Sequence, residues 1–451
     1  MALTTAQATG DWDVAGTWDN GVPDGTKDAQ VPDGYVVTVQ NGVTAQCLSL
    51  SVASVAGSVV VASGGSLDIG TGGLQVISGC TLTLNDSCFC AGPISLENGS
   101  IATGTITWDA AGAVNLDLDN GSFPNLTLTV NGTATFTFSV AGTIYRLLVN
   151  AAFGTLAGTA NLTVLAGGFS RTNLGTNNWT GKLILGASCS GDWNDQGNCL
   201  KEIDQRTHDG VNFAMTNHVR CRAFRHGTGT VSGAFTLIVL PTASDFWTTG
   251  SGAITCNSVA VNLSDASADE SNTDPITATP ASTLQLATPS AYRLTLSGGA
   301  DIGASADLVV YGSLGGDTGK ITINGFTGRD ALLGLASASN RSGDLTLQGH
   351  SSIRNCNRQH ASDTGCALRL EAGTTIASTG TVDATGVTVA GNSGRFTGGT
   401  VQNVTLTAGD RLIAWGCTCS GNSDGVEPAA RVGGMLHTGL LLMAARRLGA
   451  F

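Results

Sequence analysis

The feature that most constrains this chain is a short apolar alternation that returns at near-regular intervals along almost the whole sequence. VVTV (36–39), SLDI (66–69), LQVI (74–77), TLTL (81–84), TITW (105–108), NLTLTV (125–130), IYRLLVN (144–150) and NLTVLAG (161–167) each alternate small polar with branched apolar residues. Period two puts every second side chain on one face, as a half-buried strand requires. Similar positions return about every 17 to 24 residues. That interval fits one coil of a solenoid, in which each strand buries its inner face only by stacking on its neighbours. The pattern resumes at FTLIVL (235–240) and continues through STLQLA (282–287), KITING (320–325), DLTLQG (344–349), VQNVTLTAG (401–409) and RLIAWG (411–416). Gly, Asn, Asp and Ser between the segments supply the turns. The expected fold is all-β: a single-stranded parallel β-helix, right-handed and irregular, ending in a short C-terminal α-helix. A string of β-sandwiches is the rival architecture.

Composition supports strands over helices. Charged residues make up 12% of the chain and aromatic residues 5%, while 41% is hydrophobic and 63 residues are Gly. Helical domains carry about 25% charged residues, much of it Lys and Glu on exposed faces. Lys and Arg total 21 against 33 Asp and Glu, a net charge of −12. Nucleic acid is therefore not an expected partner, since binding it depends on cations that neutralise phosphates. No apolar run reaches the roughly 18 residues of a membrane span.

Three stretches break the pattern and set the expected divisions. Residues 1–35 form an N-terminal cap segment, 36–187 the first part of the β-helix, 188–232 a polar insertion, 233–426 the second part, and 427–451 a helix. Pro428 and Gly433/Gly434 set off that helix. Its apolar residues, among them Met435, Leu436, Leu440, Leu441 and Leu442, suit either a lid on the last coil or a contact with another protein.

The segment GDWDVAGTWDNGVPDGTKDAQVPDGYVVTV (10–39) carries a distinct motif: G-x-W, then T-W-x-x-G-x-P, then P-x-G-x-x-V-T-V. Gly10, Trp12, Thr17, Trp18, Gly21, Pro23, Asp28 in the polar stretch between, Pro32, Gly34, Val37, Thr38 and Val39 hold it. It resembles the opening of many bacterial and phage extracellular β-helix proteins, including those with G8-like domains. The resemblance implies architecture rather than activity, with Trp12 and Trp18 covering the open end of the first coil. The opening MALTTAQATGDWD has neither a basic segment nor an apolar core of a secretory leader. Taken with the resemblance, this leads us to expect a structural virion protein of a tailed phage, made in the host cytoplasm. Such a protein would be a spike, fibre or capsid decoration, trimeric by the same resemblance. Its expected partners are other virion proteins, met through Met435, Leu436, Leu440, Leu441 and Leu442, and a cell-surface glycan. A polysaccharide-cleaving spike or secreted enzyme, and a bacterial surface adhesin, are the alternatives; either secreted form would be extracellular.

Chemistry-bearing residues crowd together in 188–232. Asp192, Asp195, Glu202, Asp204, His208 and Asp209 are the weak catalytic candidates, because glycoside hydrolysis needs two carboxyl groups flanking the bond. Trp193, Arg206, Arg220 and Arg222 are the candidate glycan contacts, with Trp193 a sugar-stacking surface. The plainer reading is a long loop solvated by its polar side chains. No cofactor is expected. Nor is a metal, since Cys189, Cys199, His208, His218 and Cys221 match no compact zinc spacing. GGDTGK (315–320) lacks the full phosphate-loop pattern. The 12 Cys are read mainly as reduced, buried thiols; Cys189/Cys199 and Cys356/Cys366 are the disulfide candidates for a protein outside a cell.

Overall fold

The structure, a computed structural model, describes residues 2–263 apart from 55 and 196, and from there to residue 429 chiefly strand segments. The strand ladders of the described residues are parallel, and strands inside the stack pair with segments one coil before and one coil after. Val37 lies beside Val59 and Val59 beside Leu82; further along, Leu162 lies beside Leu183 and Leu183 beside Ile203. These offsets, about 20 residues per coil, are the repeat of a solenoid. The chain is an all-β parallel β-solenoid, and the coil-to-coil parallel pairing excludes a string of antiparallel sandwiches.

Each coil supplies strands to three faces. Strand Ser66–Val76 shows how: residues 66–69 pair with 44–47 and 87–90, whereas residues 74–76 pair with 50–52 and 94–96. The bend between the two halves falls at Gly73, whose φ is +87°. A Cβ there would lie 2.2 Å from the Pro93 carbonyl oxygen, so the corner takes only Gly. Beyond residue 263 the faces are separate sheets, one of eight strands from Glu270–Asn272 to Val426–Ala429 and one of seven from Ile276–Ala278 to Thr418–Ser420.

The alternation in sequence becomes alternation in burial. Val37, Val39, Val59, Val61 and Leu82 point inward and are completely buried, while Thr38, Val60 and Thr83 between them are partly exposed. Each fully buried Val or Leu is worth about 1.5–3 kcal/mol. Cys47, Ile69 and Cys90 form one inward column, and Cys88 joins the same core beneath Leu67. Both residues of the Cys88-x-Cys90 pair thus face the interior as free, buried thiols.

Within the described residues the strand ladders cross the divisions expected from the sequence. Residues 1–35 are not set apart from the solenoid: Ala2–Thr5 pairs with Lys27–Val31, and Gly10 and Asp11 pair with Val37 and Thr38. Residues 188–232 are not an insertion either. Cys189–Trp193, Leu200–Asp204, Phe213–Arg225 and Val231–Ser232 are strands that continue the ladders. Their inner positions are held by Cys189, Trp193, Met215 and Cys221, and polar residues occupy even buried places, which hides the alternation. At the C-terminus, Val426–Ala429 is a strand beside Leu412–Trp415, so residues 427–429 do not begin a helix. Met435, Leu436, Leu440, Leu441 and Leu442 lie outside the described residues, as do Cys356 and Cys366.

Candidate functional site

The polar coils between residues 170 and 250 bring the candidate side chains onto two consecutive turns. Their charges are used between coils. Asp192 accepts a hydrogen bond from the Arg171 backbone N–H one coil earlier, at 3.0 Å. Asp195 forms an ion pair with the Arg171 guanidinium and accepts from Asn198 Nδ2 at 3.1 Å and the Gly197 N–H at 3.0 Å. Burial raises the Asp195 carboxyl, but the Asn198 hydrogen bond, the Arg171 charge and the backbone donors outweigh it and hold it below its ordinary value.

Glu202 is the centre of a staple over four coils. It is 9% exposed. Lys182 sits beside it in the preceding strand, with Nζ 2.7 Å from Oε1, and Arg225 of the following coil places Nη2 3.2 Å from Oε2. Arg225 also donates to the Asp245 carbonyl at 2.5 Å and to Thr248 Oγ1 at 3.1 Å, one coil further on. Burial pushes the Glu202 carboxyl up, and hydrogen bonds and charges from Lys182 and Arg225 more than reverse it, leaving the group ionised below its ordinary value. A general acid in glycoside hydrolysis needs the opposite displacement, so that it still holds its proton at neutral pH.

The other candidates are placed as follows. Asp204 is buried and closes a turn by accepting the N–H groups of Arg206 and Thr207 at 2.9 and 3.0 Å. His208, Asp209 and Arg206 are exposed on that turn. Arg220 donates to Asn194 Oδ1 at 2.9 Å and Arg222 to the Leu240 carbonyl at 3.3 Å. Trp193 is 0% exposed, with its indole N–H on the Asn198 carbonyl at 2.8 Å, so it is a core residue and not a sugar-stacking surface. Trp12 and Trp18 are also buried, in edge-to-face contact at 5.1 Å inside the first coil. Cys189 is a free buried thiol whose pKa burial drives up to about 12.

Sequence reasoning missed Arg171, Lys182 and Gln205. Gln205 is wholly buried, donating to the Val211 carbonyl at 2.8 Å and the Gly229 carbonyl at 3.2 Å and accepting the Gly227 N–H at 3.3 Å. The missed signal was the coil offset itself: Lys182 and Glu202 are opposite charges one coil apart. Among the described residues, no three His, Cys, Asp or Glu side chains cluster closely enough to hold a metal ion, and no helix is long and apolar enough to cross a membrane.

Fold and site together define a three-faced parallel β-solenoid whose polar coils are laced by ion pairs. Comparison with protein-family profiles, with curated proteins and with solved structures finds no match.

Proposed function

We propose that this chain is a rigid structural element of a tailed-phage virion, a spike, fibre or capsid decoration. Its sheet faces would meet neighbouring virion proteins or a cell-surface glycan. The observation that carries this reading is the use of charge in the coils from residue 171 to residue 248. Asp192, Asp195, Glu202 and Asp204 each hold a coil to itself or to its neighbour, which is what a stiff rod requires. At a strand spacing of about 4.8 Å, about 12 coils give a rod on the order of 55 Å for residues 2–263. The N-terminal motif that resembles phage and bacterial β-helix proteins supports the same reading, and assembly as a homotrimer belongs to it.

Immunogold electron microscopy, with antibody raised against the purified full chain, tests the proposal on particles from the culture that produces it. Gold on the capsid or tail of intact particles is the expected result. Label confined to the particle-free medium overturns the virion assignment. Release of reducing sugar from capsular polysaccharide by the purified chain overturns the purely structural one and points to a glycan-cleaving spike.

A further inference from the structure

The outer edge of the first coil is where a solenoid should be most prone to add another copy of itself, because its strand presents unpaired backbone groups. In the strand Ala2–Thr5 and its continuation, the groups pointing away from the second coil belong to Leu3, Thr5 and Gln7, whereas the Ala6 N–H points back and donates to the Gln30 carbonyl at 2.8 Å. Each outward residue is met by the end of the short 3-10 turn Ala15–Thr17 or by the residues that follow it. The Gln7 N–H donates to the Thr17 carbonyl at 2.9 Å, and the Asp19 N–H donates to the Thr5 carbonyl at 3.0 Å. The Thr5 N–H donates to Asp19 Oδ1 at 2.8 Å, and Asn20 Nδ2 donates to the Leu3 carbonyl at 3.3 Å.

The second strand of the coil is treated alike. The Asp11 carbonyl accepts Thr17 Oγ1 at 2.9 Å, and the Trp12 carbonyl accepts the Trp18 indole N–H at 2.8 Å. Lys27 fixes the far end of the segment, donating to the Asn20 and Val22 carbonyls at 3.2 and 3.3 Å. The Ala6–Trp18 bridge is antiparallel, against the parallel ladders of the described strands. A segment that runs the wrong way, and that meets half its partners through side chains, gives an incoming copy no parallel ladder to extend.

We propose that residues 15–20 are a strand-addition block that keeps the first coil from stacking end-on with a second copy of this chain. The tryptophans pack beneath it; the polar groups of Thr17, Asp19 and Asn20 do the blocking.

Asp19→Pro in the full chain tests this, since it removes both the N–H and the carboxylate that occupy Thr5. Sedimentation velocity over a concentration series should show end-to-end species that the unmodified chain does not form. Adding Thr5→Pro, which deletes the outward N–H, should suppress them. Asp19→Ala with Asn20→Ala is the milder variant if the proline prevents folding, and it should associate in the same direction. Hydrogen exchange of the unmodified chain gives an independent reading, with the Thr5 and Gln7 amides protected like those of the second coil. The proposal is overturned if variants with unchanged circular dichroism sediment as the unmodified chain does, or if those two amides exchange at unpaired rates.

Discussion

Mild acid should weaken this solenoid through one residue, His226. The side chain is 1% exposed and lies among aromatic neighbours, with ring centroids 6.3 Å from Phe224 and 6.0 Å from Trp247 of the next coil. Its Nδ1 accepts the Gly250 N–H at 3.4 Å, a contact that the neutral ring makes and the doubly protonated ring cannot. Burial drives its pKa from 6.5 down to about 4, against a smaller upward pull from the Gly229 backbone. The unfolded chain therefore takes up this proton at a higher pH than the folded one. Its contribution to stability is complete above pH 6.5, falls as the pH drops toward 4, and is constant below that. The full difference is about 3 kcal/mol at ~1.4 kcal/mol per tenfold, of which about 2 kcal/mol should be lost between pH 7 and pH 5.

Asp195 and Glu202, two of the carboxylates held below their ordinary values, start from 3.8 and 4.5, so they add their own loss only at lower pH. Urea unfolding at pH 7, 6 and 5, for the unmodified chain and for His226→Phe, isolates the histidine. The phenylalanine variant keeps the ring in place and cannot titrate. It should be weaker at pH 7 by about 1–3 kcal/mol, because the partly buried Gly250 N–H loses its acceptor, yet nearly flat from pH 7 to 5. Parallel pH curves for the two proteins refute the reasoning.

Glu202→Ala should cost about 3–5 kcal/mol in urea unfolding, because it leaves the partly buried Arg225 without a carboxylate to balance its charge, while Lys182→Met, whose side chain is 43% exposed, should cost less than about 1 kcal/mol. Cys47, Cys88 and Cys221 are buried thiols with raised pKa values, so a thiol reagent at pH 8 should label them only after denaturant is added. Gly168→Ala places a Cβ 1.8 Å from the Ser190 carbonyl oxygen at a φ of +69° and should lower the thermal midpoint sharply, whereas Gly112→Ala meets nothing within 4 Å and should leave it unchanged.

The parallel coil is legible in the sequence, because a solenoid is a local rule repeated. Alternating residues such as Val37, Val39, Val59 and Val61 can be buried only against neighbours one coil away, and their spacing carries that coil length openly. The same logic failed where the inner positions were not aliphatic. Trp193, Glu202, Asp204 and Gln205 are buried polar or amphipathic residues, so residues 188–232 read as a loop although they stack like the rest. A carboxylate in sequence has no partner written beside it. Lys182, Glu202 and Arg225 become one staple, and Thr17, Asp19 and Asn20 one cover, only when the turn of the coil sets them against each other. Those pairings depend on how the chain returns on itself at each corner, and only the folded coil decides that.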